Sequence, residues 1–598
     1  MNDTPTSTPS DEYRARLADR RARVVALEQR SARIANLRLV GFAAIVIVAW
    51  LAFGERVMRP LWIAAPLIGF VVLVVWHDRE LRRQRRAARA VTFYERGLAR
   101  IEDRWQGSGE AGERFADPSH PYAADLDLFG PASLFQLLCT ARTAAGEETL
   151  ARWLREPAVA SDVRARQAAV TALRSRLDLR EDVAVLGADV RAELDPKSLE
   201  TWGQAAVTPV PGWVRPVAAV VAAISVATVV AWLGFGQKIW PALIAIIVER
   251  ALLQYLRGIL KSGVVAVERA GADLEVLAEV LGRVEREDLS GPLQRTRDAL
   301  FTGSEGPSKA IAELRSLVGL YEARFNQFFL PLNTLLLWEV QVGASIAKWR
   351  TKFGPKLGGW IHALGEIEAQ SALAAYAYEH PADVFPEVHD AGTTYDGEQL
   401  GHPLIPAATC VRNDLKLVDG RRLLLVSGSN MSGKSTFLRT VGINAVLALA
   451  GGPVRAKRMA ISPMRLGATL RIQDSLQQGA SRFYAEITRL RQILDLAKGD
   501  RPLLFLLDEI LHGTNSHDRL IGAEAVIRAL LDRNALGLVT THDLALANVV
   551  GTLGNLAANA HFADTVQDGK LVFDYREREG VVQGSNAIAL MRAVGLPV

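Results

Sequence analysis

The chain has 598 residues, 49% hydrophobic and 23% charged; a prior of about 150 residues per domain allows roughly four domains and excludes a disordered or collagen-like chain. Its two cysteines, Cys139 and Cys410, form no CxxC pattern, which excludes a disulfide framework and a structural zinc site. Lys and Arg number 70 against 65 Asp and Glu, for a net charge of +5, a mildly basic balance that suits nucleic acid or anionic lipid.

Residues 1–10 read as a Ser/Thr/Pro-rich tail and 11–37 as an Arg-rich helical stretch. The uncharged run 39–54, a short break at 55–59 and a second run at 60–76 predict a transmembrane hairpin. Each run falls slightly short of the ~20 residues that span hydrocarbon, but Arg38 can snorkel and His77 can sit at the interface. Trp50, Trp62 and Trp76 lie near the helix ends, where aromatic belts form. A third uncharged run, 216–237, predicts another span. A fourth begins at Ile239 and soon meets Glu249 and Arg250; it either completes a second hairpin or is a re-entrant or interfacial segment.

Arg30, Arg33 and Arg38 precede the first hairpin and a basic cluster from Arg79 to Arg89 follows it, against Arg56 and Arg59 in the turn. The positive-inside rule then predicts a multi-pass protein of the cytoplasmic membrane, with both termini and the C-terminal domain in the cytoplasm. Residues 1–38 are too long and too mixed in charge to be the start of a cleaved signal peptide. The cluster after the hairpin is expected to lie against anionic headgroups.

Residues 106–113 read as a loop. Beyond Leu126 apolar residues recur at helical spacing, as in Leu134, Leu137, Leu138 and Leu150, Trp153, Leu154. The same period returns in 262–300 and 309–382, interrupted at 303–307. After His402 strand-length apolar runs alternate with helices, as in an α/β unit with a largely parallel sheet. The expected organisation is a tail and helix (1–38), a hairpin (39–76), a basic linker helix (77–119), a helical core (120–212), a second hairpin (213–255), lever helices (256–400) and an α/β domain (401–598).

The strongest chemical signal is Gly428-Ser429-Asn430-Met431-Ser432-Gly433-Lys434-Ser435-Thr436, a GxxxxGK[ST] pattern directly after the apolar strand 423–426. In such a P-loop the glycines let backbone N–H groups converge on phosphate oxygens. Lys434 supplies charge to the β and γ phosphates of ATP, and the Ser435 hydroxyl ligates Mg²⁺. A buried strand at 503–507 ends in Asp508-Glu509, a Walker B pair: Asp508 holds the Mg²⁺ and Glu509 orients or deprotonates the attacking water. The next strand, 537–540, ends in Thr541-His542 and sets His542 at the same edge as a γ-phosphate sensor.

Taken together these motifs resemble the MutS family of ABC-type ATPases. Asp508-Glu509 is followed by Gly513-Thr514-Asn515-Ser516-His517-Asp518, similar to the family's DE…GTST-D stretch. The segment 474–486 resembles the family's signature loop, whose serine, here Ser481, reaches the partner subunit's nucleotide site; the resemblance therefore implies a head-to-tail homodimer. His561-Phe562, Phe573-Asp574-Tyr575, Gly580 and Gly595-Leu596-Pro597 look like the end of the family's ATPase domain. Upstream, His120-Pro121-Tyr122, Asp127-Leu128-Phe129-Gly130, 133–138 and Trp153-Leu154 look like the start of its helical core, so the likeness covers most of 120–598. Relatives that read mismatches carry an N-terminal domain with a Phe-x-Glu wedge; here a tail, a hairpin and a basic helix stand before residue 120. Phe93-Tyr94-Glu95 imitates the wedge but reads as a helix packing face.

The expected fold class is thus an α/β P-loop (ABC-type) ATPase domain plus an all-α core and lever domain, with transmembrane helical hairpins. The expected activity is ATP hydrolysis with Mg²⁺ at composite dimer sites. By resemblance it is coupled to clamping of DNA, branched or duplex, without mismatch specificity. The alternative is a mechanochemical ATPase acting on a membrane protein or assembly, because the levers carry mixed charge (Arg283, Glu285, Arg286, Glu287, Asp288) rather than a basic stripe.

Overall fold

The computed structural model describes residues 8–55, 57–187, 196–205, 210–268, 271–289, 291–301, 306–326, 329–418, 420–429, 431–471, 482–567 and 570–582. The chain divides into two compact units, one from Met1–Arg104, Asp178–Glu287 and Gly303–Gly358, the other from Trp105–Leu177, Asp288–Thr302 and Gly359–Val598.

The first unit is helical. Helix Pro9–Phe53 starts inside the segment expected to be a tail, because Thr8 and Asp11 form a capping box and Pro9 occupies the first turn, where its missing N–H costs nothing. It pairs with Ala64–Ile101 in an antiparallel hairpin, shown by Arg14–Glu102, Arg21–Glu95 and Arg30–Glu80 ion pairs and by Phe42 against Phe70. Tyr13 and Tyr94 are fully buried edge to face, and Phe93 is buried beside them, so the wedge-like motif is a packing face. In the basic cluster Arg82 and Arg86 are engaged by Glu275 and Glu279, and Arg83 by Glu80, whereas Arg79 and Arg85 are exposed. The cluster is therefore partly neutralised within the protein instead of wholly facing outward.

Among the described residues three helices are long and apolar enough to cross a membrane: Pro9–Phe53, Pro60–Ile101 and Val214–Phe235. The fourth apolar run lies in helix Trp240–Glu268, which is not one of them and carries Glu249 and Arg250. The helical stretch expected over 309–382 holds, among the described residues, the α-helices Pro307–Glu322, Leu330–Leu335 and Trp338–Glu379. Pro331 opens the middle one, and Leu337 breaks the register with a φ of +45°. Helix Pro196–Gln204 approaches the long helix at glycines on both sides: a Cβ on Gly354 would lie 2.5 Å from the Gly203 carbonyl oxygen. Trp202 stacks on Trp349 next to this approach.

The second unit holds two sheets. Strands β1 (Glu387–Val388), β2 (Tyr395–Leu400), β3 (Asn413–Leu417), β4 (Leu423–Gly428), β5 (Arg458–Ile461), β6 (Arg465–Thr469), β7 (Leu503–Leu507), β8 (Leu536–Thr541), β9 (Ala557–Gln567) and β10 (Lys570–Glu579) succeed one another along the chain. Two of them precede His402, earlier than the change of texture in the sequence. The larger sheet runs β10-β9-β4-β8-β7-β6, parallel throughout except for β10. Its central strands β4, β7 and β8 are buried at every position, as Leu- and Val-rich strands covered on both faces must be. A Cβ on Gly537 of β8 would lie 2.0 Å from the Phe505 carbonyl oxygen, so only glycine lets β7 and β8 approach this closely. The smaller sheet has the order β1-β5-β2-β3.

The upstream motif is bound to the larger sheet. Asp125 accepts the N–H groups of Leu470 and Arg471 at 2.7 and 2.8 Å, Asp127 pairs with Arg439 and Arg471, and the Ala468 N–H donates to Pro121. A buried aspartate serving two backbone donors explains why an acidic residue stands in an otherwise apolar surrounding.

Candidate functional site

The parallel register decides the site. β4, β7 and β8 lie side by side, with Ser427 opposite Thr541 and Leu507 opposite Val539, so the loops leaving all three strands emerge at one sheet edge. After β4 the chain turns at Gly428 (φ +150°) and Gly433 (φ +107°), then enters helix Lys434–Ala450. A Cβ at Gly428 would lie 2.8 Å from the Phe562 carbonyl oxygen, and one at Gly433 would lie 3.0 Å from the Tyr575 ring. Both glycines are required by space as well as by backbone angle.

The Lys434 ammonium is buried. It donates to the carbonyl oxygens of Gly428 and Ser429, each at 2.8 Å, and lies 3.7 Å from Glu509. Burial lowers its pKa, while the Glu509 and Asp508 carboxylates raise it. Glu509 also lies 3.7 Å from Nδ1 of His542, so the three residues predicted to act on the terminal phosphate meet around one carboxylate. Glu509 adopts a φ of +48°, a left-handed conformation that costs a non-glycine residue on the order of 1–3 kcal/mol and is held where surrounding structure demands it.

A cavity of about 690 Å³ opens from this edge. Met431, Gly433, Lys434, Ser435, Thr436, Asp508 and Glu509 line one part, and His402, Ile405, Val411 and Tyr575 another. The Ser429 hydroxyl is buried without a hydrogen-bond partner, an orphaned polar atom beside a nest of backbone amides. The Ser435 hydroxyl and the Asp508 carboxylate are hard oxygen donors of the kind Mg²⁺ takes, and they fit that ion next to a polyphosphate. Of the other predicted residues, Ser432 is buried and donates to the Ser429 carbonyl at 2.8 Å, and Met431 is highly exposed at a φ of +69°. Asn430, Ser481 and the end motif Gly595-Leu596-Pro597 lie outside the described residues.

Three further residues belong to the site. Thr540 hydrogen-bonds to Asp508 through its hydroxyl, which also accepts the Glu509 N–H at 3.0 Å, so one side chain of β8 orients both acidic residues that follow β7. Glu486, on helix Arg482–Leu496, is buried and accepts the Leu511 N–H, fixing the turn after Glu509. His402 forms part of the cavity wall; burial pushes it down to about 4, so its ring is neutral at pH 7. A threonine inside a β-rich run and a histidine before a proline carry no spacing that announces them, because their roles arise from strands and loops meeting in space.

Residues 424–598, from the second residue of β4 onward, match MutS domain V. This part of the chain belongs to the MutS family. The chain is 33% identical over 252 residues to "Endonuclease MutS2" of Thermus thermophilus, covering 41% of this chain and 31% of that protein. It is 34% identical over 239 residues to "DNA mismatch repair protein MutS 2" of Halobacterium salinarum (39% and 27%), and 35% identical over 204 residues to "DNA mismatch repair protein MutS" of Roseiflexus sp. (33% and 18%). The chain thus spans less than a third of the length of each of these MutS-family relatives.

Proposed function

We propose that this MutS-family chain is a membrane-anchored ATPase that binds and hydrolyses ATP at composite sites of a head-to-tail homodimer, and that it couples site closure to clamping of DNA without mismatch reading. The observation that carries the reading is the convergence of Lys434, Asp508 and Glu509 on one cavity, with His542 3.7 Å from Glu509. The loop amides and Lys434 bind the phosphates, and His402, Ile405, Val411 and Tyr575 offer a mainly apolar wall for the base. Mg²⁺, held by Ser435 and Asp508, would neutralise charge on the β and γ phosphates. Glu509 takes a proton from the attacking water, and His542 donates to the terminal phosphate while keeping Glu509 oriented. Ser481 of each subunit completes the other's site.

Anchoring is supported by the three long apolar helices and by their exposed Val, Ile, Phe and Trp side chains, including Phe42, Ile47, Ile68 and Ile224. With arginines outside the first hairpin, the termini and the ATPase are assigned to the cytoplasm. Names of MutS-family relatives support a DNA substrate.

A second reading, action on a membrane protein or assembly, is favoured by one observation. Arginines of the first unit are widely engaged by its own carboxylates, Arg82 by Glu275, Arg86 by Glu279 and Arg283 by Asp182 and Glu287. The deciding experiment is the ATPase rate of the nanodisc-held protein with duplex, branched and mismatched DNA across salt concentrations. Stimulation that fades steeply with salt supports phosphate contacts; basal hydrolysis indifferent to every DNA replaces the DNA reading with the membrane partner.

A further inference from the structure

Besides Lys434 and His542, Glu509 has a third neighbour, one that nucleotide chemistry does not use. The turn after β7 brings His512 back beside it, and ligand atoms of Glu509, His512 and His542 all lie within 4.8 Å of one another. The turn is constrained: Glu509 and Leu511 both have positive φ, at +48° and +57°, Ile510 and Leu511 are buried, and Glu486 holds the Leu511 N–H. The His512 and His542 rings meet edge to face with centroids 5.0 Å apart, and both are exposed. A small cavity of about 10 Å³ lies between Glu509, His512, His542 and Asp543, the scale of one water or one ion.

We propose that Glu509, His512 and His542 form a binding site for a borderline transition-metal ion, Zn²⁺ by its ligand chemistry, and that its occupancy holds hydrolysis off. Two imidazoles and one carboxylate, with a position left for solvent, are a common three-ligand set for Zn²⁺ and a poor one for Mg²⁺, which prefers oxygen donors. Metal–ligand bonds of about 2.0–2.1 Å need donor atoms within about 4 Å of each other. Rotation of the exposed imidazoles closes that difference without moving the sheet. The site is separate from the Ser435 and Asp508 donors, but it takes the two groups on which turnover depends. A Glu509 carboxylate bound to metal no longer accepts a proton from water, and a metal-bound His542 no longer serves the phosphate. Nucleotide binding through the loop and Lys434 is left intact, so the occupied state holds ATP without turning it over.

The regulatory half of this proposal rests on the ATPase reading, and the test separates the two. Zn²⁺ is titrated from a buffered stock into the full-length protein turning over Mg²⁺-ATP, and Co²⁺ is titrated in parallel while its visible ligand-field bands are recorded. The expected result is saturable inhibition reversed by a zinc-selective chelator, and Co²⁺ bands of low coordination number at one ion per chain. His512→Ala should keep basal hydrolysis, weaken inhibition by about tenfold or more and lose the bands; His512→Cys, a conservative ligand, should restore binding with a shifted spectrum. Co²⁺ bands lost in His512→Ala from a protein without any ATPase activity would refute the ATPase reading and leave the metal site standing. Bands unchanged in His512→Ala, or none in the wild type, would overturn the site, and full hydrolysis with the site loaded would overturn its regulatory role.

Discussion

Lys434 Nζ lies 3.7 Å from Oε1 of Glu509, although the two residues belong to different crossovers of the sheet. The pairing places the phosphate-binding cation and the water-activating carboxylate in mutual reach before any substrate enters. It also makes their substitutions separable. Lys434→Ala removes the cation and leaves the Gly428 and Ser429 carbonyls without their donor, so nucleotide affinity should fall. Glu509→Gln keeps shape and loses the base; hydrolysis should drop about 10²–10⁴-fold with ATP still bound and the dimer trapped. Equilibrium nucleotide binding and single-turnover hydrolysis check both, and wild-type turnover in either variant would refute the assignment.

Thr540 is a positioning residue. Thr540→Val keeps volume but releases Asp508 and leaves the Glu509 N–H without its acceptor, a loss of about 1–3 kcal/mol in orientation and stability together. The half-saturating Mg²⁺ concentration of the ATPase should rise about tenfold or more, and Thr540→Ser should restore it. An unchanged Mg²⁺ titration in the valine variant would remove Thr540 from the site.

Glu368, on helix Trp338–Glu379, is fully buried and accepts hydrogen bonds from Thr143 Oγ1 and the N–H groups of Arg142 and Thr143. Burial pushes its pKa up from 4.5 to about 7, against those donors. A carboxyl raised in the folded state binds its proton there first, so its contribution is full below about pH 4.5 and is lost as pH rises through about 7. Glu368→Gln should therefore gain stability relative to wild type as pH increases across that window, by about 3 kcal/mol at most. Thermal midpoints across that range decide it, and parallel curves for the two proteins would contradict it.

Gly354→Ala sets a methyl group 2.5 Å from the Gly203 carbonyl oxygen. Overpacking of this kind costs about 1–3 kcal/mol or more, and the melting temperature should fall. Gly359→Ala, in the same helix and with nothing within 4 Å of the added carbon, should be neutral or slightly stabilising. Equal effects of the two would mean the helices do not approach here.

The proposed topology predicts labelling. In a background with Cys139 and Cys410 replaced by serine, Val57→Cys in the hairpin turn should react with an impermeant maleimide in intact cells. Lys498→Cys, exposed next to the sheet, should react only after permeabilisation. The opposite pattern would invert the orientation, and labelling of both in intact cells would contradict the cytoplasmic assignment.

Local chemistry written along the chain was legible without coordinates. The uncharged runs needed only their length and composition, because a helix satisfies its own backbone wherever it lies. The 428–436 loop and the Asp508-Glu509 pair were legible because short motifs carry their geometry in glycine and strand context. Helix boundaries were less so: the Thr8 capping box starts a helix inside an apparent tail, and a few residues around Leu337 end one that apolar spacing would have continued.

Tertiary structure alone decided what depends on separate segments meeting. Parallel register brought β4, β7 and β8 to a common edge and joined Lys434, Glu509 and His542. It also made Thr540 an arm of the acidic pair and His402 a wall of the cavity. The arginines after the first hairpin were anonymous charges in sequence until Glu275 and Glu279 faced two of them. The division comes from range: composition and periodicity report interactions between residues a few positions apart, whereas hydrogen bonds and ion pairs across strands and helices depend on packing that no local pattern encodes.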